Sequence, residues 1–275
     1  MNFEQATFYR ISRFLISERS CMSPINTSEN LAESADALHT PPVIRMDSSQ
    51  VVPGYQAGVY KELLHSFNLR TVRLSPVLPL DKPLSRMGKR AIDILFSLLV
   101  VVLVLSWLLP IIALLIKLDS KGPVFFLQKR SGRDGRLFSC IKLRSMIVNP
   151  EADLVPATEN DVRITRIGKF LRNYYLDELP QFFNVLMGDM SLIGPRPHMI
   201  SDDLRYKDEI ESYSFRCKVK PGITGLAQVL GLTGPADELQ KMKGRVQLDI
   251  FYIRQWSPVL DTKIILRTIG RFFRC

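Results

Sequence analysis

A stretch of 23 residues without a charged side chain, from Ile94 to Ile116, most constrains what this chain can fold into. A helix needs roughly 20 consecutive apolar residues to cross the hydrocarbon core of a bilayer. A helix on the surface of a soluble domain carries polar residues along the side that meets water. The run "ILFSLLVVVLVLSWLLPIIALLI" has no such side and therefore predicts a helix inserted into a membrane.

Basic residues flank this apolar run on both sides. They are Arg86, Lys89 and Arg90 before it and Lys117, Lys121, Lys129 and Arg130 after it. Positive charge marks the cytoplasmic side of a membrane helix, so a straight span would place one flank on the wrong side. A re-entrant helix, which enters and leaves on the cytoplasmic face, satisfies both. Pro110 breaks the backbone ladder and the Ser106 hydroxyl can bond locally, so a bend is available. A straight span with a tolerated proline is the alternative.

Composition divides the chain into three parts. Residues 1–85 carry eight basic and eight acidic side chains and are rich in Ser, Asn and Pro, which predicts a largely disordered N-terminal tail. A short helix or a docking segment is the alternative there. Residues 86–119 contain the membrane helix, and residues 120–275 form a small soluble domain. The net charge of +10 lies wholly in residues 86–275, which implies an anionic partner such as nucleic acid, a phospholipid surface or a phosphorylated substrate.

The soluble part predicts an α+β fold that is mainly helical. Val124–Gln128 and Leu137–Leu143 are apolar-rich and frame the turn residues 131–135, which predicts a β-hairpin. "VRITRIGKFLRNYYL" predicts a basic amphipathic helix, with Ile164, Ile167 and Leu171 on one face. This helix and the C-terminal "TKIILRTIGRFFRC" have the mixture of basic and apolar residues that is typical of helices at a lipid interface.

Two adjacent acids, Asp177 and Glu178, precede an apolar run with helical spacing in "YLDELPQFFNVLM". Pro180 suits the first turn of a helix, which places Asp177 at or near the N-cap. One interpretation is therefore structural, because acids stabilise the start of a helix. The other is chemical. Arg172 lies close by, and a helix start with an arginine can bind phosphate; that environment would depress the pKa of Asp177 and keep it ionised as a nucleophile.

Three further residues are candidates for a functional site. Arg196 lies between two prolines in "SLIGPRP", which fixes the backbone that carries it. Lys220 lies in "KVKPGITG", which is either an anion-binding nest or a simple turn. Asp249 lies in the apolar segment "QLDIFYIRQW", where an acid needs a partner or a function.

From about Arg86 onward the chain resembles the bacterial sugar transferases of the monotopic polyprenyl-phosphate glycosyl-1-phosphate transferase family. The resemblance rests on five motifs in the family's order and spacing. They are "KRAID", "GPVFFLQKRSGRDGRLFSCIKLRSM", "DVRITRIGKFLRNYYLDELPQFFNVLMGDMSLIGPRP", "KVKPGITGLAQVLG" and "LDIFYIRQWSPVLDTKIIL". Many members break the membrane helix at a Ser-Pro pair, whereas here Trp107 follows Ser106 and the proline comes at Pro110.

The resemblance implies a reaction in two halves. Asp177 would attack the sugar-linked phosphate of a UDP-sugar and release UMP, and polyprenyl phosphate would then take the phosphosugar from the aspartyl enzyme. Glu178 would bind Mg²⁺. Asp249 matches a further acid of the site, and phosphate-binding roles are expected of four basic residues. These are Lys142, Arg172, Arg196 and Lys220.

The resemblance also implies a place and a set of partners. The catalytic domain would face the cytoplasm from the bacterial inner membrane, and a hexose-1-phosphate would be transferred in the first membrane step of exopolysaccharide, capsule or O-antigen assembly. The partners expected are a UDP-sugar, polyprenyl phosphate and membrane lipid, with downstream glycosyltransferases and further copies of the chain as candidates, and no nucleic acid. The alternative is a non-enzymatic membrane-anchored module that binds acidic lipid or nucleic acid through its basic helix.

Overall fold

A computed structural model describes residues 77–149, 161–210, 212–233 and 239–272. Most of the predicted N-terminal tail, up to residue 76, lies outside these ranges, so that prediction is not tested. Within them the chain is mainly helical with two small two-stranded sheets, which confirms the predicted α+β class.

The predicted membrane helix is present as a long helix in three parts. After a 3₁₀ turn at Pro79–Asp81, helix α1 covers Pro83–Val100, a π-helical turn covers Val101–Leu105, and α2 covers Ser106–Asp119. Within the described residues, Pro83–Asp119 is the one helix that is long and apolar enough to cross a membrane. Only 17% of the most apolar stretch of this helix is buried against the rest of the chain. A core helix of a soluble domain is mostly buried, so this helix is not of that kind.

The π-helical turn and the proline mark the centre of this long helix. The Ser106 hydroxyl donates to the Val102 carbonyl at 2.6 Å, and the Trp107 indole N–H donates to the Leu103 carbonyl at 2.8 Å. Pro110 lies inside α2 and has no N–H for the helical ladder. π-bulges and prolines are the usual causes of helix bending, and here the two lie close together.

The predicted hairpin is confirmed. Strands β1 (Phe125–Ser131) and β2 (Leu137–Leu143) pair antiparallel, with Phe125 opposite Leu143 and Ser131 opposite Leu137. β1 ends three residues later than predicted. The turn between the strands contains a short 3₁₀ segment, Arg133–Gly135, in which Asp134 and Gly135 have φ of 55° and 74°. These residues make a turn, as predicted.

The predicted basic helix begins later than its sequence pattern suggested. Helix α3 covers Arg166–Asn173, and the Thr165 side chain accepts a hydrogen bond from the Gly168 N–H as its N-cap. Ile164 lies outside the helix, in an isolated bridge with Met146. The prediction was wrong at this end because the cap residue, not the apolar spacing, decides where a helix starts. Leu171 is fully buried, as its position on the apolar face indicated.

The remaining elements complete the domain. Strands β3 (Ser191–Ile193) and β4 (Gly222–Thr224) pair in parallel, and 3₁₀ segments lie at Leu176–Glu178 and Tyr213–Lys218. The helices that follow α3 are α4 (Gln181–Met187), α5 (Ile200–Tyr206), α6 (Leu226–Val229), α7 (Leu239–Gln255) and α8 (Pro258–Phe272). The core is built around α7, most of which is buried.

Both halves of the long helix contact this domain. In α1, the Asp93 carboxylate accepts from the Ser191 hydroxyl and the Leu192 N–H, each at 3.0 Å. In α2, Ile112 and Ile116 pack in one core cluster with Leu143 and Leu171. The domain therefore holds the long helix on both sides of its central π-helical turn.

Candidate active site

The Asp-Glu pair lies in a 3₁₀ turn between two helices. Tyr175 has a φ of 56°, in the left-handed region, and redirects the chain after α3 into the turn Leu176–Glu178. Helix α4 begins only at Gln181, with Pro180 at its N-cap position. Asp177 is therefore not the N-cap, and the prediction that it caps this helix was wrong. A proline at residue 180 starts the α-helix one turn later than the apolar spacing suggested.

Glu178 is buried and paired with two cations. Its Oε1 accepts from Lys142 Nζ at 2.9 Å and from Arg196 Nη2, and its Oε2 accepts from Arg196 Nη1 at 3.0 Å. Burial by itself would raise the pKa of Glu178, but the charges of Arg196 and Lys142 hold this pKa well below its usual range. The structure thus brings together three of the predicted site residues, from β2, the 3₁₀ turn and the Pro-Arg-Pro loop.

Asp177 is half-buried, and its carboxylate forms no hydrogen bond or ion pair with any of the described residues. Burial and the neighbouring charge of Glu178 raise the pKa of Asp177 to about 6, against the pull of Lys142, Arg172 and Arg196. The sequence-based prediction of a depressed pKa for Asp177 was wrong. Arg196 and Lys142 are bound to Glu178, so the neighbouring acid takes the depressed pKa.

Arg172 is placed at the last turn of α3, close enough to lower the pKa of Asp177 but without an ion pair to it in the described residues. A carboxylate without a partner among the described residues therefore lies near three cations, of which Glu178 holds Lys142 and Arg196. Such a group can hold an anionic substrate while the carboxylate reacts with it.

Hydrogen bonds from Asn184 hold the two sides of the site together. This fully buried residue of α4 accepts from the Ile141 N–H at 2.9 Å and donates to the Ser139 carbonyl at 2.8 Å. The edge of β2 is thereby tied to α4 beside Lys142, which fixes the distance between Lys142 and the acid pair.

The Pro-Arg-Pro loop is held in place by the close approach of the backbone at Gly194 to the backbone at Gly222. Gly194 follows β3 and lies against Gly222 of the parallel strand β4. A Cβ on Gly222 would lie 2.1 Å from the Gly194 nitrogen, so only glycine fits this position. Two motifs that are separate in sequence, "GPRP" and "KPGITG", therefore form one structural unit.

Two arginines, the buried Arg216 and the half-buried Arg130, hold the carbonyl groups of this loop. Arg216 Nη2 donates to the Arg196 carbonyl at 2.6 Å, and Arg130 Nη1 donates to the Pro197 carbonyl at 3.1 Å. Arg216 is itself paired with Asp249, whose Oδ2 accepts from Arg216 Nη2 at 2.9 Å and from Nε at 3.1 Å. Asp249 is 3% exposed, so this carboxylate acts on the site through Arg216 and the backbone of Arg196.

Lys220 does not join the acid pair. It lines a cavity of 520 Å³ beside the start of α1, together with Arg90 and Lys218. The motif "KPGITG" thus contributes the backbone of β4 to the active site, whereas the side chain of Lys220 lines the separate cavity beside α1.

Sequence reasoning missed Asn184, Arg130 and Arg216. Both arginines lie in segments with apolar and aromatic residues, "FFLQKRS" and "YSFRCK", and an arginine in such a segment is a signal for a buried partner. Asn184 carries no local signal, because its partners lie more than 40 residues away on β2.

The arrangement of Glu178 does not fit direct ligation of a divalent cation. Both carboxylate oxygens accept from cations, and within the described residues no group of three or more His, Cys, Asp or Glu side chains could hold a metal. Mg²⁺ prefers oxygen ligands that are free to coordinate it. Of the two acids, only Asp177 offers such oxygens in this structure.

Comparison with known proteins relates the chain to sugar transferases, both by a family model and by individual relatives. Residues 84–275 match the family model described as bacterial sugar transferase. The UDP-glucose:undecaprenyl-phosphate glucose-1-phosphate transferase of Klebsiella pneumoniae is 50% identical over 203 residues, which cover 72% of this chain and 43% of that protein. The UDP-N-acetylgalactosamine-undecaprenyl-phosphate N-acetylgalactosaminephosphotransferase of Aeromonas hydrophila is 43% identical over 204 residues, covering 74% and 47%.

A shorter relative is matched over most of its length. The exopolysaccharide production protein PSS of Rhizobium leguminosarum is 44% identical over 186 residues, which cover 66% of this chain and 92% of that protein. By contrast, the chain spans less than half the length of the Klebsiella and Aeromonas proteins.

Proposed function

The chain belongs to the bacterial sugar transferase family, and on this basis we propose that it transfers a sugar-1-phosphate from a UDP-sugar to polyprenyl phosphate and releases UMP. The observation that carries the proposal is the contrast between the two acids. Glu178 is bound by Lys142 and Arg196, whereas Asp177 keeps a free carboxylate beside the same cations. A carboxylate that no cation holds is available as a nucleophile, and cations held beside it can stabilise an anionic substrate.

In the first half of the proposed reaction, an Asp177 oxygen attacks the sugar-linked phosphorus of the UDP-sugar. A bond forms between this oxygen and the phosphorus, the bond from phosphorus to the bridging oxygen of the diphosphate breaks, and UMP leaves with that oxygen. Lys142, Arg196 and Arg172 stabilise the negative charge on the phosphate oxygens. With a pKa of about 6, Asp177 is mainly ionised at neutral pH, so no separate base is needed.

In the second half, a phosphate oxygen of polyprenyl phosphate attacks the same phosphorus. The bond from phosphorus to Asp177 breaks and the carboxylate is regenerated. The product is a polyprenyl diphosphate that carries the sugar. No proton has to be moved if both phosphates react as anions, which suits a site made of cations and one free carboxylate.

The test of the nucleophile is Asp177→Asn, with Asp208→Asn as the matched control because Asp208 is exposed and its carboxylate forms no hydrogen bond or ion pair with a described residue. Membrane fractions receive radiolabelled UDP-sugar, and intact-protein mass spectrometry follows the covalent phosphosugar in the absence of polyprenyl phosphate. We expect the adduct and the lipid product with wild type and Asp208→Asn, and neither with Asp177→Asn. Unchanged transfer by Asp177→Asn would refute the assignment. Absence of transfer by wild type with every UDP-sugar tested would favour a binding module instead.

The magnesium ion expected from the family resemblance stays a prediction, and the steps above do not depend on it. Chelation of divalent cations with EDTA, followed by re-addition of Mg²⁺, tests it on UMP release. Loss of activity on chelation and its recovery with Mg²⁺ would support the predicted metal. Activity that is insensitive to EDTA would remove the metal from the proposal.

For the sugar, we propose a hexose-1-phosphate and a place in the first membrane step of exopolysaccharide, capsule or O-antigen assembly. The names of the relatives support this class, since they specify glucose-1-phosphate or N-acetylgalactosamine phosphate and, for one, exopolysaccharide production. A screen of UDP-sugars scored by UMP release identifies the donor. Release from none of the UDP-hexoses would contradict the proposed class.

We further propose that the long helix is re-entrant at the bacterial inner membrane and that the catalytic domain faces the cytoplasm. Contacts of Asp93 and Ile116 with one and the same domain support this, because both flanks of the apolar run are then on one side of the bilayer. Cysteines introduced near residues 80 and 125 should both react with a reagent applied from the cytoplasmic side. Labelling from opposite sides would establish a straight span.

A further inference from the structure

A cavity of 520 Å³ lies beside the first turns of α1; most of its surface is apolar, and six of its fifteen described lining residues are basic. We call it the basic cavity; its charged lining residues are Arg86, Lys89, Arg90, Asp93, Arg133, Lys218 and Lys220. Its volume is within the range of about 300–1,000 Å³ that is usual for small-molecule sites. It is therefore large enough for a phosphate and the carbon atoms attached to it.

Four of the six basic lining residues form no ion pair with a described residue. Lys218 and Lys220 form no ion pair with any residue that the structure describes. Among the described residues, Arg133 pairs only with its exposed neighbour Asp134, through its Nε at 3.3 Å. Lys89 is the exception, because Asp261 accepts from it at 2.7 Å.

The other two cations of the basic cavity bind carbonyl groups. Arg90 donates to the carbonyls of Val185 and Leu186, and Arg86 donates to those of Leu80 and Asp81. A carbonyl orients a guanidinium but leaves its full charge in place. These contacts hold the cations in fixed positions without neutralising them, which is what an anion-binding site needs.

The cations also lie close to one another. A Cβ on Gly188 would be 3.5 Å from Lys220 Nζ and 3.6 Å from Arg90 Nη2, so both groups crowd the C-terminal end of α4. Burial and the charge of Arg90 lower the pKa of Lys220. Asp93, the one acid among the described lining residues, already accepts from the Ser191 hydroxyl and the Leu192 N–H. Like charges that lie near each other repel, and an anion that binds between them relieves this repulsion.

The position of the basic cavity separates it from the acid pair. Arg90 binds carbonyls at the C-terminal end of α4, whereas Glu178 comes before the N-terminal end of the same helix. A helix of seven residues is about 10 Å long. The phosphate bound in one place is therefore not the phosphate that reacts in the other.

Apolar residues on the membrane side indicate which anion fits. Met87, Ala91 and Ile94 of α1 line the same cavity, and Ile94 is the first residue of the uncharged run. Met87 is 69% exposed and Ile94 is 40% exposed, so an apolar chain could lie along α1 towards the bilayer. The one aromatic residue in the described lining, Tyr252, is buried and bonded through its hydroxyl, and thus offers no ring face to a nucleotide base.

We propose that the basic cavity binds the phosphate of a membrane lipid, with Lys218, Lys220 and Arg90 around the phosphate and the lipid chain along α1. The shared chemistry is a lipid-linked phosphate, and two sources can supply it. One is polyprenyl phosphate held in reserve for the second half-reaction, an assignment that rests on the proposed function. The other is an anionic phospholipid of the surrounding bilayer.

The test measures whether a lipid phosphate binds and which lysines it covers. The full chain is placed in phosphatidylcholine nanodiscs. Amine-reactive labelling followed by mass spectrometry reports the protection of Lys218 and Lys220, with the exposed Lys207 of the same chain as the internal control. The additions are polyprenyl phosphate, phosphatidylglycerol or inorganic phosphate. We expect a lipid phosphate to protect Lys218 and Lys220 but not Lys207, at concentrations where inorganic phosphate has little effect.

The matched variants are the double substitution Lys218→Gln with Lys220→Gln, and Lys207→Gln as control. Retention of the lipid by the purified protein should weaken by roughly tenfold for each lysine removed, because hydrogen bonds to charged groups contribute about 1.5–3 kcal/mol. Thermal unfolding of the double variant should stay at the wild-type temperature, which shows that the fold is intact. Equal retention by the double variant and wild type, or protection by inorganic phosphate that equals protection by lipid, would overturn the proposal.

One comparison distinguishes polyprenyl phosphate from anionic phospholipid as the ligand. A second distinguishes failure of the cavity proposal from failure of the proposed function. Protection by polyprenyl phosphate alone identifies the acceptor lipid, and equal protection by phosphatidylglycerol identifies bulk anionic lipid; either supports a lipid phosphate site. If UMP release and transfer occur but neither lipid protects the two lysines, the cavity proposal fails and the proposed function stands. If the lipid protects them but no UDP-sugar is consumed, the proposed function fails and the cavity proposal stands.

Discussion

The active site and the basic cavity both collect positive charge, but they neutralise it differently. In the active site, Glu178 accepts from Lys142 and Arg196, and Asp249 accepts from Arg216. In the basic cavity, Lys218 and Lys220 have no such partner among the described residues, and Arg90 binds carbonyls. The ion pairs of the active site hold its side chains in place for the reaction. The unpaired cations of the basic cavity favour the binding of an anionic ligand. Substitutions that remove one charge should therefore have opposite effects on stability in the two regions.

The largest effect is expected for Asp249→Asn. This change leaves Arg216 buried without a counter-charge, which should lower the free energy of unfolding by about 3–5 kcal/mol. Chemical denaturation in detergent, followed by intrinsic fluorescence, measures it. A loss below about 1 kcal/mol would show that the pair does not hold this region together.

A second variant separates stability from positioning at the same pair. Asp249→Leu combined with Arg216→Met removes both charges and should restore much of the lost stability. It should not restore transfer, because nothing then donates to the Arg196 carbonyl. Full recovery of the rate would show that Asp249 and Arg216 do not position Arg196.

Glu178→Gln should have the next largest effect. Lys142 and Arg196 then face a neutral amide, and we expect a loss of about 1–3 kcal/mol in unfolding free energy, less than at Asp249 because Arg196 is 39% exposed. Glu209→Gln is the control, since Glu209 is exposed. Equal stability of these two variants, measured by denaturant titration, would contradict an energetic role for the Glu178 ion pairs.

The pH dependence of the first half-reaction should report Asp177. Its pKa of about 6 is raised by burial and by Glu178, and only the ionised form attacks phosphorus. The rate of UMP release should thus fall as pH falls through about 6, by about tenfold between about pH 7 and about pH 5. In Glu178→Gln this fall should move to lower pH, because a repelling charge is gone. A rate that stays constant over this range would exclude Asp177 as the titrating nucleophile.

The smallest effect, with the opposite sign, is expected for Lys220→Gln. A lysine whose pKa is lowered in the folded protein destabilises it while charged, so neutralisation should leave stability unchanged or raise it by less than about 1 kcal/mol at neutral pH. Lys142→Gln is the matched comparison and should destabilise, because it removes a partner of Glu178. If both substitutions lower the unfolding temperature equally, the cations of the active site and of the basic cavity do not differ in their contribution to stability.

Local features of this fold were predictable because their causes are local. The long apolar helix follows from an unbroken run of hydropathy, and the hairpin follows from two apolar segments around Gly132 and Gly135. Predictions failed where a single residue shifted a boundary. Thr165 caps α3 and delays its start, and Pro180 separates Asp177 from α4.

Features of the site that depend on distant partners were not predictable in this way. Gly194 and Gly222 are far apart in sequence and meet only because β3 and β4 pair. The Arg216–Asp249 pair and the bonds of Asn184 to β2 are of the same kind. No spacing rule links residues so far apart, because their contact results from the packing of the whole domain.

The sequence by itself determined the quantities that add up along a chain: the apolar length of the membrane helix, the basic excess after residue 85, and the motifs of a bacterial sugar transferase. The tertiary structure alone decided which acid of the pair is bound by cations, and that Lys220 belongs to a separate cavity. The reason is physical. Hydropathy and net charge are sums over residues, whereas a pKa or an ion pair depends on distances of a few ångströms and on burial, which exist only after the chain has folded.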